Sequence, residues 1–472
     1  MLRKTSQQFP LAFPYLIAIL ITFPLFWSTW LRLFQEWLKW EQVLAHGLPT
    51  FVIFIGLVLI HPPLTSSSTC GPSKAGGILL FLLAVLWGLL ELARIDTLAY
   101  FMVPAGMLLT CWTLFGFQPA LKFVPHVLLF SLSLPVWADL VPYLVDFASV
   151  VVGNLVSLLG ITALIEGANI TLPYGRLVIA DGCSGIRYLA TSVMLASMTA
   201  VLNDYRWKGW VAALVLGVSL ALLVNWIRIT ALVLIAYYSN MESSLVRDHE
   251  FFGWIVFAIF IIPAFWLVPV LRRQQQAKIN IMRINKKALL FLIPALLVGT
   301  VGISAVQSST PPSPAWQLKA PAHSAVSTEA LPIKVFPPSE MTHEVVQFEA
   351  GGWVSIAQSS RTSGEGKLVP YLAGVLETGD WFPVVDQNKQ SITVYQNLAN
   401  RNRVAVSQSF LVGSYEASSY RIAKLLQIPA ILSGQNRFAL LTFQANCTSR
   451  DCDEAKEQLM RLRHEKLLTS SR

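Results

Sequence analysis

Long apolar blocks, separated by short polar stretches, dominate the first 307 residues of the chain. A helix of about 20 apolar residues crosses the roughly 30 Å hydrocarbon layer of a bilayer. The pattern therefore predicts about nine transmembrane helices. Their predicted positions are residues 11–30, 47–61, 77–93, 97–116, 123–140, 184–202, 208–237, 251–271 and 288–307.

A tenth apolar run, residues 141–160, differs from the others in its polar content. It carries Asp146 and Asn154 and directly follows Asp139 and Pro142. Polar groups along an otherwise apolar helix are typical of a helix that lies in the membrane interface. We expect this segment to be an amphipathic helix in the outer interface that does not cross the membrane.

The hydrophobic pattern changes after residue 307. Residues 308–330 are rich in Ser, Pro, Ala and Thr, which predicts a flexible linker. Beyond the linker, alternating runs predict strands and two longer segments predict helices. The strands are expected at 391–395, 404–411 and 438–443, and the helices at 419–427 and 452–466.

The predicted fold is an all-α polytopic transmembrane bundle of about nine spans with a small soluble α+β C-terminal domain. The chain divides into four parts: a transmembrane domain (1–272), a basic loop with the final span (273–307), the linker (308–330) and the α+β domain (331–472).

Composition agrees with a membrane protein. The 472 residues are 54% hydrophobic and 13% charged, with a mean hydropathy of +0.56. Soluble domains carry roughly 25% charged residues, so one large water-soluble core is excluded. The net charge of +9 does not indicate nucleic-acid binding, because Lys and Arg mainly flank apolar segments.

The distribution of basic residues predicts the orientation of the chain. The loop 272–287 contains only basic residues among its charged ones, so it should be cytoplasmic. The last span then runs outward and the C-terminal domain is extracytoplasmic. Counting backwards, with 141–160 not crossing, puts the N-terminus with Arg3 and Lys4 in the cytoplasm. No small-residue cleavage site follows the first apolar run before Trp30, so we expect a retained span rather than a signal peptide.

The five cysteines show no zinc-ligand spacing, so no metal site is expected. Cys70 and Cys111 are interpreted as small apolar residues that fill space between helices. Cys447 and Cys452 lie close in sequence on the oxidising side, where a disulfide and two free thiols both fit.

Reactive groups occur beside apolar segments at Cys183, Arg228 and His249. Cys183 begins a span that enters from the outer face. From Lys208 to Arg228 a helix rises roughly 30 Å, so Arg228 also reaches the outer boundary. His249 opens the next span from that same side. The predicted topology therefore brings all three residues to one level of the membrane.

That level suits a cysteine nucleophile. Cys183, near a helix N-terminus, is exposed to the positive end of the helix dipole, which favours the thiolate. His249 could accept the thiol proton and return it to a leaving amine. Arg228 stays protonated and could hold an oxyanion or a substrate carbonyl, with Arg187 as a second cation.

Each residue also has a plain structural interpretation. A cysteine in a membrane helix is often a small filler, an arginine near a helix end often extends to the headgroups, and a histidine at a span boundary is often interfacial. Their convergence on one face of the membrane favours a site.

The three patterns resemble the signature of the exosortase and archaeosortase family over residues 75–272. The shared elements are a Cys in a C-S-G-x-R context, an Arg in an N-x-x-R context, and a His followed by Gly-Trp. In this chain they are Cys183 with Ser184 and Arg187, Asn225 with Arg228, and His249 with Gly253 and Trp254.

The resemblance implies a cysteine peptidase or transpeptidase that needs no cofactor. Its substrates would be membrane-anchored proteins whose C-terminal sorting signal is cleaved at the outer face of the plasma membrane and transferred to an acceptor. Cys183 would be the nucleophile, with Arg228 and His249 as partners and Arg187, Asn225 and Ser184 in secondary or substrate-binding roles.

Two further features are similar to subgroups of this family. Gly182 stands where many members have Ala, which, with the unusual C-terminal tail, resembles the cyanobacterial branch. The tail is similar in placement to the exosortase-associated domain that some members carry.

Two other classes of protein stay open on the sequence. A transporter or export component for envelope polysaccharide would carry charged residues at mid-membrane depth in several spans. A membrane acyltransferase would place a catalytic His deep in the bundle near an acidic partner, and Asp139, Asp146, Asp181 and Asp248 lie near the predicted outer face.

Overall fold

The computed structural model divides into two compact units. One unit comprises residues 1–87 and 96–300, and the other comprises 88–95 and 301–472. The structure describes residues 2–39, 46–64, 73–137, 140–179, 181–247, 249–267, 289–303, 315–318, 331–348, 352–361, 366–372, 375–377, 379–384, 392–449, 451–464 and 468–470.

Helices make up most of the N-terminal part of the chain. In chain order they are α1 Leu2–Leu25, α2 Trp27–Trp37, α3 Gly47–Ile60, α4 Lys74–Ala93, α5 Asp96–Phe115, α6 Phe117–Ser131, α7 Val141–Leu158, α8 Ile186–Leu202, α9 Trp207–Tyr238, α10 Ser244–Arg247, α11 His249–Leu267 and α12 Ile293–Leu296. A π-helical segment, Leu297–Gly302, follows α12.

The first predicted span is broken rather than continuous. The axes of α1 and α2 differ by 100° at Phe26. Pro24 lies just before the break and cannot donate the hydrogen bond that continues a helix. The Trp30 indole N–H donates to Thr22 Oγ1 across the bend at 3.3 Å, so a buried polar contact stabilises the turn.

An aromatic cluster holds the helices around this bend together. Trp30 stacks on Phe23 with ring centroids 4.2 Å apart and lies 5.6 Å from Phe130 of α6. Trp37 stacks on Phe51 of α3 at 5.2 Å, and its indole N–H donates to the Ser133 carbonyl at 2.7 Å. Because each buried indole has an acceptor, the cluster has no polar cost at these two positions.

In the part of the chain that the structure describes, four helices are long and apolar enough to cross a membrane, or five if the bent pair of α1 and α2 is one span. The four are α4, α5, α7 and α9. Helices α3 and α8 and residues 251–264 of α11 are apolar but shorter. The polytopic helical architecture is thus confirmed, whereas the count of about nine spans is not.

Helix α7 occupies the segment predicted to lie in the outer interface. It spans Val141–Leu158 and buries Val145, Val152 and Val156 in a core shared with α8 and α9. Its length and composition satisfy the criteria for a span. Its interfacial, non-crossing position therefore stays a prediction, and so does the orientation counted through it.

A three-stranded antiparallel sheet follows α7 and corrects the expectation of an all-α membrane part. It consists of β1 Leu164–Glu166, β2 Asn169–Leu172 and β3 Gly175–Val178, in the order β1-β2-β3. Two-residue turns join the strands, and Gly167 in the first turn has a φ of +57°. Strands of three or four residues are too short to give a hydrophobic period that stands out from the adjacent apolar runs.

The C-terminal unit has the predicted α+β composition. Its seven-stranded antiparallel sheet has the order β5-β6-β11-β9-β8-β7, with β10 also paired to β9. The strands are β5 Thr342–Gln347, β6 Gly352–Ser360, β7 Trp381–Val384, β8 Ile392–Asn397, β9 Arg403–Val412, β10 Tyr415–Ala417 and β11 Arg437–Asn446; β4 Trp316–Leu318 and β12 Leu468–Ser470 form a separate pair.

Two helices cover opposite faces of this sheet. Helix α13, Tyr420–Leu432, contributes to the core that contains Phe438 and Leu440 of β11. Helix α14, Asp453–His464, contributes to the core that contains Leu441 and Phe443. The alternation along β11 gives one hydrophobic face to each helix.

A disulfide joins Cys447 and Cys452, which selects one of the two states left open by the sequence. The predicted basic loop 272–287 and most of the predicted linker 308–330 lie outside the described residues.

A first prediction concerns the pH dependence of the C-terminal unit. His343 on β5 lies between Met341 and Val345, which belong to the core, and its buried Nε2 has no hydrogen-bond partner among the described residues. Burial lowers the pKa of His343 below its ordinary 6.5. The unfolded chain therefore binds a proton more readily, and stability falls as the pH drops below about 6.5 toward the lowered folded pKa.

We expect amide hydrogen exchange in β5 and β6, corrected for its intrinsic pH dependence, to accelerate between pH 7 and pH 5. His343→Gln should reduce that acceleration because the variant has no group that titrates in this window. Equal acceleration in the variant would assign the effect to other groups.

Candidate active site

Cys183 lies at the junction between the small sheet and helix α8. A 3₁₀ turn, Asp181–Cys183, follows β3, and Gly185 precedes α8 with φ +81° and ψ +8°. This left-handed conformation is readily available to glycine and costs other residues about 1–2 kcal/mol. The glycine therefore lets the chain turn sharply into the helix immediately after Cys183 and Ser184.

Helix α9 holds this turn through a buried amide. Asn225 Nδ2 donates to the Cys183 carbonyl at 3.1 Å, and Asn225 is only 2% exposed. The contact is so close that a Cβ at Gly185 would lie 2.6 Å from Asn225 Cγ. Gly185 is thus required twice, by its backbone angle and by the position of Asn225.

A cavity of about 220 Å³ adjoins Cys183. Its wall is mostly apolar and comes from the sheet, from α9 and from the segment after α9. The lining residues are Ile170, Arg176, Leu177, Val178, Ile179, Cys183, Ile229, Leu232, Val233 and Val246. Cys183 is 8% exposed and is not in a disulfide, so a reduced sulfur is available at the cavity wall.

Arg228 lies one turn after Asn225 on α9 and is 3% exposed. Its guanidinium carbon is 5.6 Å from the centroid of the Tyr188 ring, within the range of a cation–π contact. Tyr188 in turn stacks on Phe257 of α11 at 4.9 Å. The cation is therefore held between α8, α9 and α11.

Gly253 of α11 provides the space for this arrangement. A Cβ at Gly253 would lie 2.5 Å from Arg228 Nε and would also overlap the Tyr188 hydroxyl. Only a residue without a side chain fits between these two groups. The Gly-Trp pair noticed in the sequence thus has a packing role, and Trp254 makes an edge contact with Tyr188 at 5.7 Å.

The remaining predicted residues are described to different extents. The backbone of His249 begins α11, one turn before Gly253, and its side chain lies outside the described part of the structure. Arg187 is half-buried in the first turn of α8. Ser184 is buried, and its hydroxyl accepts a long hydrogen bond of 3.4 Å from the Ile186 amide.

The structure thus brings Cys183 next to Asn225, and Arg228 next to Tyr188 and Gly253. It leaves the convergence of Cys183, Arg228 and His249 on one site as a prediction. No group of three or more His, Cys, Asp or Glu side chains suited to a metal ion occurs within the described ranges.

The sequence alone did not predict the role of Tyr188, the three-stranded sheet or the cavity that this sheet helps to form. Tyr188 follows Arg187 in the quoted motif, but an aromatic residue at the start of a membrane helix has many ordinary roles. The contacts of Asn225 and Gly253 join segments far apart in the chain, so no local spacing reveals them.

Comparison with known proteins gives one match. Residues 30–266, half of the chain, match the family described as transmembrane exosortase (Exosortase_EpsH). No curated protein and no solved structure gives a significant match. The matched range includes Cys183, Arg228 and His249, and it confirms the resemblance at the level of the family. The cyanobacterial branch and the accessory character of the tail stay predictions. The chain therefore belongs to the transmembrane exosortase family.

Proposed function

We propose that this protein is a membrane-embedded cysteine transpeptidase that cleaves the C-terminal sorting signals of exported, membrane-anchored proteins. It transfers the new carboxyl end to an acceptor at the outer face of the plasma membrane. Membership of the exosortase family supports a membrane transpeptidase of this kind.

The observation that carries the proposal is the cavity beside Cys183. A nucleophile needs space for the reacting carbonyl group and a fixed position relative to it. The cavity supplies the space, and the bond from Asn225 to the Cys183 carbonyl fixes the backbone. Cys183 and Cys111 are the two described cysteines outside the disulfide, and Cys111 is completely buried, so Cys183 is the better candidate nucleophile.

In the proposed reaction, His249 accepts the proton of the Cys183 thiol, and the thiolate attacks the scissile carbonyl carbon. The C–N bond then breaks as the protonated His249 donates to the leaving amine, which leaves a thioester on Cys183. The acceptor nucleophile attacks the thioester and the thiol is restored. The group is transferred and no oxidant or cofactor is consumed.

Arg228 would stabilise the oxyanion that forms at each attack. Its fixed charge lies among aromatic rings in a buried environment, where an electrostatic interaction is stronger than in water. Arg187 and Ser184, near the start of α8, and Asn225 are proposed to position the substrate or the nucleophile.

The proposed orientation follows the basic residues of the sequence, with the N-terminus cytoplasmic and the C-terminal domain extracytoplasmic. The reaction would then occur at the outer face, and membrane-anchored substrates would reach the site from the bilayer.

A transporter or export component for envelope polysaccharide is the alternative. Such a protein would expose several intramembrane charges along a path. Among the described residues of the candidate spans, the buried Asp, Glu, Lys or Arg side chains are Glu91 of α4 and Arg228 of α9. Glu91 forms an ion pair with Arg94 at 3.7 Å. The buried charges are thus one ion pair and one cation on separate helices, which favours a local site over a polar path.

The central prediction is the loss of processing in Cys183→Ala. The assay co-expresses the chain with a reporter that ends in a short motif, an apolar helix and a basic cluster taken from the same genome, and follows reporter mass by immunoblot. Cys183→Ala should abolish the mass shift while the protein stays in the membrane, and Cys183→Ser should be severely impaired because a hydroxyl ionises far less than a thiol.

A thioester-linked reporter fragment on Cys183, detected by mass spectrometry, is expected in the wild-type protein. The matched control is Cys111→Ala, which removes the other described cysteine that is not in a disulfide and should leave processing intact. Full processing by Cys183→Ala would refute the cysteine mechanism.

Arg228→Lys should lower the processing rate by roughly 10²–10³-fold, the cost of removing one well-placed oxyanion donor. Lysine keeps the charge but lacks the planar fork that contacts Tyr188. Arg206→Lys, at the exposed residue that precedes the same helix, is the control and should process normally. Equal rates for both variants would indicate that Arg228 acts only through its charge.

Alanine substitution of Gly182 and of Gly185, which lie on either side of Cys183, should have very different effects on stability and processing. Gly185→Ala adds left-handed strain and a clash with Asn225, so it should lower both thermal stability and processing. Gly182→Ala meets open space and has no positive φ, so it should be tolerated. If Gly185→Ala processes the reporter at the wild-type rate, the Asn225 contact does not position the nucleophile.

A further inference from the structure

The strand that leads to Cys183 is an edge strand. In the order β1-β2-β3, strand β3 pairs with β2 on one side alone among the described residues. The chain continues from β3 through Ile179 to the 3₁₀ turn that contains Cys183. An exposed sheet edge is a template for pairing with another extended chain.

The register shows which backbone groups face this edge. Leu172 pairs with Gly175 across a two-residue turn, and the Ile179 amide donates to the Ala168 carbonyl at 2.8 Å. Hydrogen bonding alternates along an antiparallel pair. Gly175, Leu177 and Ile179 therefore face β2, and the amides and carbonyls of Arg176 and Val178 point away from it.

The cavity at Cys183 runs along this same edge. Four consecutive residues, 176–179, line it, so it extends about 10 Å along the strand. At one end Met241 covers Gly175, because a Cβ there would lie 3.1 Å from its side chain. Toward the other end the chain reaches Cys183. The free edge, the cavity and the sulfur are thus one continuous surface.

The chemistry of this surface favours a peptide over a lipid chain. The apolar lining from β2, β3 and α9 would accept either. An acyl chain, however, has no donors or acceptors for the outward amides and carbonyls of Arg176 and Val178, and covering these groups without hydrogen bonds is unfavourable. The volume of about 220 Å³ is below the range of about 300–1,000 Å³ typical of small-molecule sites.

We propose that the substrate segment preceding the scissile bond binds as an added β-strand on β3, with backbone hydrogen bonds to Arg176 and Val178 and alternate side chains in the cavity. The inference rests on the proposed function, because it needs a polypeptide substrate at Cys183. In this binding mode, every second side chain of the substrate enters the cavity and determines which sequences are recognised. The backbone hydrogen bonds contribute affinity that does not depend on the substrate sequence.

Disulfide crosslinking can test this geometry. Val178→Cys is introduced into the full-length Cys183→Ala chain. This variant is co-expressed with six reporters, each of which carries one cysteine at a different position before the cleavage site. Crosslinks should form at alternate positions. Leu177→Cys is the matched control, because its side chain lies on the opposite face of the strand and should select the intervening positions.

Arg176→Cys should give the Val178→Cys pattern displaced by two residues, and the direction of displacement reports parallel or antiparallel pairing. A period of three or four residues, or the same positions for Val178→Cys and Leu177→Cys, would overturn β-pairing. A reporter that the wild-type chain does not process would count against the proposed function, whereas a processed reporter without the alternating pattern overturns this inference alone.

A second measurement removes one backbone donor. Val178→Pro lacks the outward amide but keeps the bonds between β3 and β2, so reporter processing should fall about three- to tenfold. Val178→Ala shortens the same side chain and retains the amide, so its processing rate is the reference against which the fall in Val178→Pro is measured. Equal rates for the two variants would contradict a hydrogen bond from Val178 to the substrate.

Discussion

The bond from Asn225 to the Cys183 carbonyl is the constraint on which the site depends. The chain leaves the small sheet, makes a 3₁₀ turn and enters α8 within a few residues, and such a turn leaves carbonyl groups without helical partners. Asn225 satisfies one of them from α9. Because a buried acceptor without a partner is costly, this bond ties the position of the cysteine to the position of α9.

The same helix positions the charge. One turn after Asn225, the guanidinium of Arg228 lies against the Tyr188 ring, and Gly253 leaves room for both groups. The two parts of the proposed site therefore share α9 as a scaffold. Cys183 lies in the turn before α8 and is contacted by Asn225, and Tyr188 lies in the first turn of α8 and is contacted by Arg228. A shift of α9 along its axis would disturb the positions of Cys183, the proposed nucleophile, and of the Arg228 cation together.

The sequence predicted the helical membrane part, the α+β tail and the family, because apolar block length, strand alternation and three short motifs are local signals. It did not reveal the bend at Phe26, since Pro24 lies inside an apolar run that looks continuous. It also missed the sheet before Cys183, whose strands have three or four residues. The contacts of Asn225 and Gly253 depend on how distant helices pack, and the position of the His249 side chain stays a prediction.

Helix α9 has 32 residues and is therefore about 48 Å long. Membrane helices tilt by up to about 40°, and at that tilt α9 still spans about 37 Å along the bilayer normal, more than the roughly 30 Å of hydrocarbon. Part of α9 must then lie among lipid headgroups whichever way the protein is inserted. Bilayer thickness therefore affects the environment of this helix. A thicker or thinner membrane changes how much of α9, which carries Asn225 and Arg228, is in contact with lipid tails.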